Sequence, residues 1–161
     1  MENLKLYINN SDNTIIKLIE NEFKQEVIDE FKCEKCNFGL KKEYWKSNKA
    51  TLSIEINKYP NILYIQIGRF QRNNDKTIKL NNNITFNENL IFFGKEYNLY
   101  AICCHYGEYG GGHYNCYIKI ENKWYLFDDS LPIQEYKNFN YLVNKKNFFT
   151  FPYLLFYELK H

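Results

Sequence analysis

The chain has 161 residues, 45% hydrophobic and 25% charged, which suits one folded unit with a sizeable core and argues against intrinsic disorder. Its 21 basic and 19 acidic side chains leave a formal charge of only +2, so no basic excess points to nucleic acid as a partner. No apolar run approaches the ~18 residues that span a bilayer, and the opening MENLKLYINN lacks a signal peptide's basic-then-apolar layout, so no membrane association and an intracellular location, cytoplasm or nucleus, are expected.

From the N-terminus, Ser11, Asp12 and Asn13 are good helix caps. Ile15, Leu18, Ile19 and Phe23 then recur at helical spacing and predict a short helix over roughly residues 13–24. FKCEKCNF, residues 31–38, reads as a C-x-x-C turn between aromatics. Leu52, Ile54 and Ile56 alternate with Ser53 and Glu55, the pattern of a half-buried strand that Tyr59-Pro60 ends. NILYIQIGRF, residues 61–70, is apolar on nearly both faces and predicts a strand inside a sheet.

Residues 71–95 are polar and Asn-rich, with strand-like patches at Ile78–Leu80 and Ile84–Phe86, and Lys76 and Lys79 are expected to keep such edges soluble. Three strand candidates follow at Tyr97–His105, His113–Ile120 and Lys123–Phe127, the last two joined by the hairpin-sized link Glu121-Asn122. Ile133 to Asn147 reads as helical or irregular, and YLLFYEL, residues 153–159, as a closing strand. Aromatics at 19% favour pleated, half-buried surfaces. The fold class expected is α+β with a mostly antiparallel sheet, in a single unit without repeats or linkers.

Chemistry concentrates in two stretches. GEYGGGHYNCYI sets Gly110, Gly111 and Gly112 directly before His113, where glycine admits positive φ or a close approach of another chain. KWYLFDDS ends a strand on Asp128 and Asp129. If the two strands pair through the short turn, the start of one meets the end of the other, and His113 lies opposite Asp128. A carboxylate there would fix the imidazole tautomer and stabilise its protonated form, as in the base-and-orienter half of a catalytic triad. On spacing alone, a strand-end histidine bonded to a neighbouring acid accounts for the pair as well.

These motifs together resemble the C-terminal half of the ubiquitin-specific protease domain. FKCEKC with Lys41-Lys42 is similar to the family's YKCxxC box, YPNILYIQIGRF to its LPxxLxIxLKRF strand, and YNLYAICCHYGEYGGGHY to its YxLxAVxxHxGxxxxGHY box. WYLFDDS and PYLLFYEL are similar to the WYxFDDS and AYxLFYE boxes, in the same order. The resemblance implies a papain-like cysteine protease architecture, represented by palm and fingers without the thumb. Residues 1–58 would be fingers-like and 59–161 the palm. It implies deubiquitination, with His113 as general base, Asp128 as orienter and Asp129 as a supporting acid. Gly110, Gly111, Gly112 and Tyr114 would border the channel for the Gly-Gly tail of ubiquitin. The partners implied are ubiquitin or a ubiquitinated protein.

The family's nucleophile lies in an Asn…Cys box ahead of the matched region, at the head of a helix whose dipole favours a thiolate. That box is not matched here, so the nucleophile is expected from elsewhere, with the chain a fragment, a truncated gene model or one part of a split enzyme whose N-terminal half another polypeptide supplies, and the chain by itself is expected to be inactive. Cys103, Cys104 and Cys116 read as core residues: Cys116 alternates away from His113, and a strand cysteine is usually a small buried hydrophobe. Cys33 and Cys36 have the spacing of half a structural zinc site, which normally takes four ligands, so they are either an incomplete knuckle or a turn with two free thiols. No cofactor is expected for catalysis. Arg69 is taken as structural, and the pairs Lys41-Lys42 and Lys145-Lys146 as solvated faces. The alternative function is a catalytically inactive ubiquitin-binding or scaffold protein derived from the same domain.

Overall fold

The structure is a computed structural model and describes residues 4–8, 13–146 and 148–161. The caps Ser11 and Asp12 lie outside the described residues. In chain order the elements are β1 (Leu4–Tyr7), α1 (Ile15–Glu22), β2 (Glu26–Phe31), β3 (Asn48–Leu52), β4 (Ile62–Gly68), β5 (Phe70–Asn73), β6 (Lys76–Lys79) and β7 (Asn89–Phe92). They continue as β8 (Lys95–Glu108), β9 (Gly111–Ile120), β10 (Lys123–Asp128), β11 (Leu131–Tyr136), α2 (Phe139–Val143) and β12 (Pro152–Leu159). Two compact units result, one from Met1–Ile19 with Lys58–His161, the other from Glu20–Asn57.

The larger unit is built on an eight-stranded sheet in the order β1-β4-β12-β8-β9-β10-β11, with β7 paired to the start of β8. Among the described residues of this sheet, only β1 and β4 run parallel; the other pairs are antiparallel. Alternation along the strands buries one face: Leu63, Ile65 and Ile67 on β4, Tyr97, Leu99 and Ile102 on β8, and Trp124 and Leu126 on β10. Aromatic rings cover this face, with Phe139 of α2 at 5.8 Å from Trp124 and Phe148 at 5.6 Å from Tyr117. The buried Trp124 indole donates to Glu88 Oε1 at 3.1 Å, so its one polar atom is satisfied. Truncating such a ring to Ala costs about 3–5 kcal/mol.

Two buried cations complete this unit. Arg69 is fully buried, and its guanidinium donates to the carbonyls of Pro152, Leu80, Asn82 and Phe149 at 2.8–3.1 Å. Burial lowers its pKa to about 10, still charged at neutral pH, in keeping with a structural role. Lys79 corrects its expected role as a solvated edge residue. It is buried, and its Nζ donates to His105 O at 2.7 Å and Gly107 O at 3.1 Å. The reason lies in β12, which begins at Pro152 opposite Cys104. Beyond that point, among the described residues, the outer edge of β8 has no strand beside it, and Lys79 satisfies the carbonyls left over. Ile78, the more apolar neighbour, faces outward at 41% exposure.

Other expectations shift. The first helix is shorter, Ile15–Glu22, although Ile15, Leu18 and Ile19 are its buried stripe as its spacing requires. The strand expected through Leu52, Ile54 and Ile56 is β3, which ends at Leu52, because its pairing with β2 ends at Glu26↔Leu52. Ile84–Phe86 forms only a single bridge, Thr14↔Thr85. The stretch from Ile133, expected to be helical or irregular, first completes β11, an exposed edge strand whose side chains carry no apolar alternation.

In the smaller unit, β2 and β3 form an exposed antiparallel ribbon. The Cys33–Cys36 segment is a turn, as its spacing suggests. Asn37 holds it: the buried side chain donates to Cys33 O at 2.8 Å and to Lys46 O at 3.1 Å, and accepts from Lys46 N at 2.8 Å.

Candidate active site

Two tight hairpins bring the site together. β8 and β9 pair from Ala101↔Ile118 out to Glu108↔Gly111, leaving Tyr109 and Gly110 as the turn. Gly110 takes φ +88°, a left-handed conformation that favours glycine. Gly112 is required for a different reason. Its backbone passes so close to the His105 ring and the Tyr106 carbonyl that a Cβ would collide with both. Gly111 meets neither constraint. β9 and β10 turn back at Glu121-Asn122, as the length of that link predicts, and pair from Lys123↔Ile120 to Phe127↔Cys116.

This register sets Asp128 just past Cys116, so it meets the side chains at 113 and 115, which share one face of β9. His113 Nε2 lies 3.0 Å from Asp128 Oδ2, and Asn115 Nδ2 donates to the same oxygen at 3.2 Å. The other oxygen, Oδ1, accepts the Ser130 backbone N–H at 2.9 Å. A register shift between Leu126 and Asp128 in the pairing with β11 turns the chain there and delivers that N–H. Asp129 is the outer acid: its Oδ1 stands 3.6 Å from His113 Nε2, and its side chain is 83% exposed against 6% for Asp128.

The electrostatics follow from these contacts. The hydrogen bond to Asp128 raises the His113 pKa above the ordinary imidazole range. The same bond, then the Ser130 N–H, holds the Asp128 carboxyl below the ordinary carboxylate range. Both acids approach Nε2, which leaves Nδ1 without a hydrogen bond among the described residues. His113 is thus an imidazole with one nitrogen held by a carboxylate and the other turned out, its side chain 41% exposed. Such an imidazole can take a proton at Nδ1 and return it.

Gly110, Gly111, Gly112 and Tyr114 line one wall of an open depression with Phe70, His105, Tyr109 and Tyr153, on the face of the ribbon opposite His113. A second open groove runs along Tyr114, Asn115, Cys116, Phe127, Asp128 and Ile133. Sequence reasoning does not single out Asn115, Ser130 or Lys79 as site residues. The period of two that pairs position 115 with His113 is the available signal for Asn115; the other two depend on tertiary contacts.

The cysteines divide by face. Cys104 is buried and burial pushes its thiol pKa far up. Cys103 and Cys116 lie on the face of the sheet opposite His113, as alternation requires. Cys33 and Cys36 sit on their turn with Cys36 N donating to Cys33 Sγ at 3.4 Å. Among the described residues no third His, Cys, Asp or Glu joins them in a metal-sized cluster. Two thiols do not fit the four-ligand site of structural zinc, and no step is assigned to a metal.

The family model described as ubiquitin carboxyl-terminal hydrolase matches residues 1–157. Ubiquitin carboxyl-terminal hydrolase 12 of Saccharomyces cerevisiae is 31% identical, covering 100% of this chain and 13% of that protein. Probable ubiquitin carboxyl-terminal hydrolase 8 of Schizosaccharomyces pombe is 31% identical, covering 70% of this chain and 25% of that one. Among solved structures, a SAGA DUB module of Ubp8, Sgf11, Sus1 and Sgf73 bound to monoubiquitin contains a chain of the same fold, with TM-score 0.76 and 23% identity over 99% of this chain and 35% of that chain. The same module bound to ubiquitin aldehyde gives TM-score 0.74 at 22% identity over 99% of this chain and 36% of that one. This chain therefore spans about a third of those solved chains and a smaller share of the yeast relatives.

Proposed function

The chain belongs to the ubiquitin carboxyl-terminal hydrolase family, and from that premise we propose that it is the histidine–aspartate half of a thiol-dependent ubiquitin hydrolase. The observation that carries the reading is the His113–Asp128 pair, with Nε2 held and Nδ1 free. A cysteine thiol supplied by another segment or polypeptide gives its proton to His113 Nδ1 and attacks the carbonyl after the terminal glycine of ubiquitin. His113 then protonates the leaving amine, and later takes a proton from the water that releases ubiquitin. Asp128 fixes the tautomer and stabilises the imidazolium throughout, while Asp129 adds a second negative charge from the solvent side.

The cysteines of this chain are poor candidates for the nucleophile. Cys104 is buried, and Cys103 and Cys116 lie on the wrong face. The glycine-lined depression, with Tyr114 at its side, is open to an extended small-residue tail such as Gly-Gly. The partners under this reading are ubiquitin or a ubiquitinated protein and the polypeptide that carries the nucleophile. Ubiquitinated proteins are met in cytoplasm and nucleus, so the reading carries an intracellular location with it.

The test is hydrolysis of a fluorogenic amide at the C-terminus of ubiquitin. The chain alone should give no turnover. Joined to the nucleophile-bearing half of a yeast relative, it should give turnover that His113→Ala reduces by about 10²-fold or more. Turnover by the chain alone that vanishes on Cys104→Ser would overturn the assignment of the nucleophile. A joined protein that binds ubiquitin and hydrolyses nothing would establish the non-catalytic binding reading instead.

A further inference from the structure

Cys103 and Cys116 face one another directly across the β8–β9 ribbon, as register partners on the side away from His113. Both are half-buried. Cys116 also lines the open groove with Tyr114, Phe127 and Ile133, so small solutes reach it. Nothing in the proposed hydrolysis uses either thiol. We propose that Cys103 and Cys116 form a reversible redox site, closing to a cross-strand disulfide on reaction with a hydroperoxide and reopening with a dithiol.

The geometry assigns the roles. Cys116 lines the open groove and Cys103 does not, so Cys116 is the thiol that meets the hydroperoxide first and Cys103 the one that resolves it. The Cys116 thiolate attacks the outer oxygen of the hydroperoxide; an S–O bond forms and the O–O bond breaks. The alkoxide leaves as an alcohol, taking up the proton that Cys116 had released, and Cys116 is oxidised to a sulfenic acid. The Cys103 sulfur then attacks that sulfur, its proton leaving with the displaced hydroxide as water. Two thiols and one hydroperoxide thus give one disulfide, one alcohol and one water, with two electrons passed to the peroxide.

Reversibility follows from the pleat. Directly opposed residues of antiparallel strands hold their Cβ atoms about 4.5–5.5 Å apart. A relaxed disulfide wants about 3.5–4.5 Å. The bond must therefore pull the ribbon together, and strained disulfides are the readily reduced ones. Cys104 neighbours Cys103 in sequence but points into the core with its pKa raised, so it supplies an internal control. The inference does not depend on the proposed hydrolysis.

The experiment uses the full chain with Cys33→Ser and Cys36→Ser, which removes the other close pair. The protein is treated with hydrogen peroxide, its remaining thiols are alkylated, and it is digested without reductant by chymotrypsin, which cuts after tyrosines such as Tyr106 and Tyr114. The expected result is loss of two of the three alkylated thiols, a cross-linked peptide pair containing residue 116, and recovery of all three with dithiothreitol. The link should persist in Cys104→Ser and vanish in Cys103→Ser and in Cys116→Ser. Three alkylated thiols after peroxide, a link that follows Cys104, or a Cys116 that stops as sulfinic acid would each overturn the proposal.

Discussion

His113 and His105 stand on neighbouring strands of one ribbon and face opposite sides of the sheet, since His113 is the register partner of Tyr106 and His105 that of Tyr114. On one side the imidazole meets two carboxylates and solvent, and its pKa is raised. On the other, His105 is 3% exposed among the rings of Phe70, Tyr114 and Tyr153, its Nδ1 has no partner, and burial with the nearby Lys79 charge lowers its pKa. One residue type is thus a solvent-facing imidazole held by carboxylates on one face and a buried packing ring on the other. The difference comes from neighbours, not from the strand that carries it.

The two histidines make opposite contributions to stability with pH. The raised His113 pKa adds stability that is complete below the unfolded value of about 6.5 and is lost as pH rises through the higher folded value. His105 works in reverse: its contribution does not vary with pH while it is neutral, and it destabilises the fold as pH falls from about 6.5 towards its lower folded value. Asp128, with its depressed pKa, keeps its contribution above the ordinary carboxylate value and loses it as pH falls through the folded one.

The most damaging way to break this arrangement is Gly112→Val. The new side chain would drive into the His105 ring and the Tyr106 carbonyl, so a loss of about 3 kcal/mol is expected in urea unfolding, the upper part of the usual overpacking range. Gly111→Ala, one residue away in open space, should stay within about 0.5 kcal/mol of the parent. Equal losses for the two would mean that the contact with His105 is not what the glycine serves.

Lys79→Met sharpens the buried side. It leaves the His105 and Gly107 carbonyls unpaired and should cost about 2 kcal/mol. It also removes a positive charge near His105, whose pKa should rise in an NMR titration. On the exposed side, Asp128→Asn should return the His113 pKa towards its ordinary value. Asp129→Asn, at the longer distance and in solvent, should move it less. If the two variants shift His113 equally, the short contact does not dominate.

The sequence carried the His113–Asp128 pair because both lie at strand ends and one short link, Glu121-Asn122, determines their register. It carried the long apolar strand at 61–70 and the terminal strand for the same reason, since their patterns are local. It could not carry Lys79, whose burial depends on where β12 stops along β8, a contact between Pro152 and Cys104 that no local pattern encodes. β11 and β2 were missed because exposed strands show no alternation to read. Asn115 was within reach of the period-two rule, but its value appears only once Asp128 is seen to need a second donor.

The most direct measurement is a nitrogen-15 NMR titration of the three histidines in the intact chain. Neutral His113 is expected to carry its proton on Nε2 with Nδ1 bare and to titrate above about 6.5, whereas His105 titrates below it. A neutral His113 protonated at Nδ1, titrating at or below the ordinary value and indifferent to Asp128→Asn, would contradict the role of that pair as a held and oriented base.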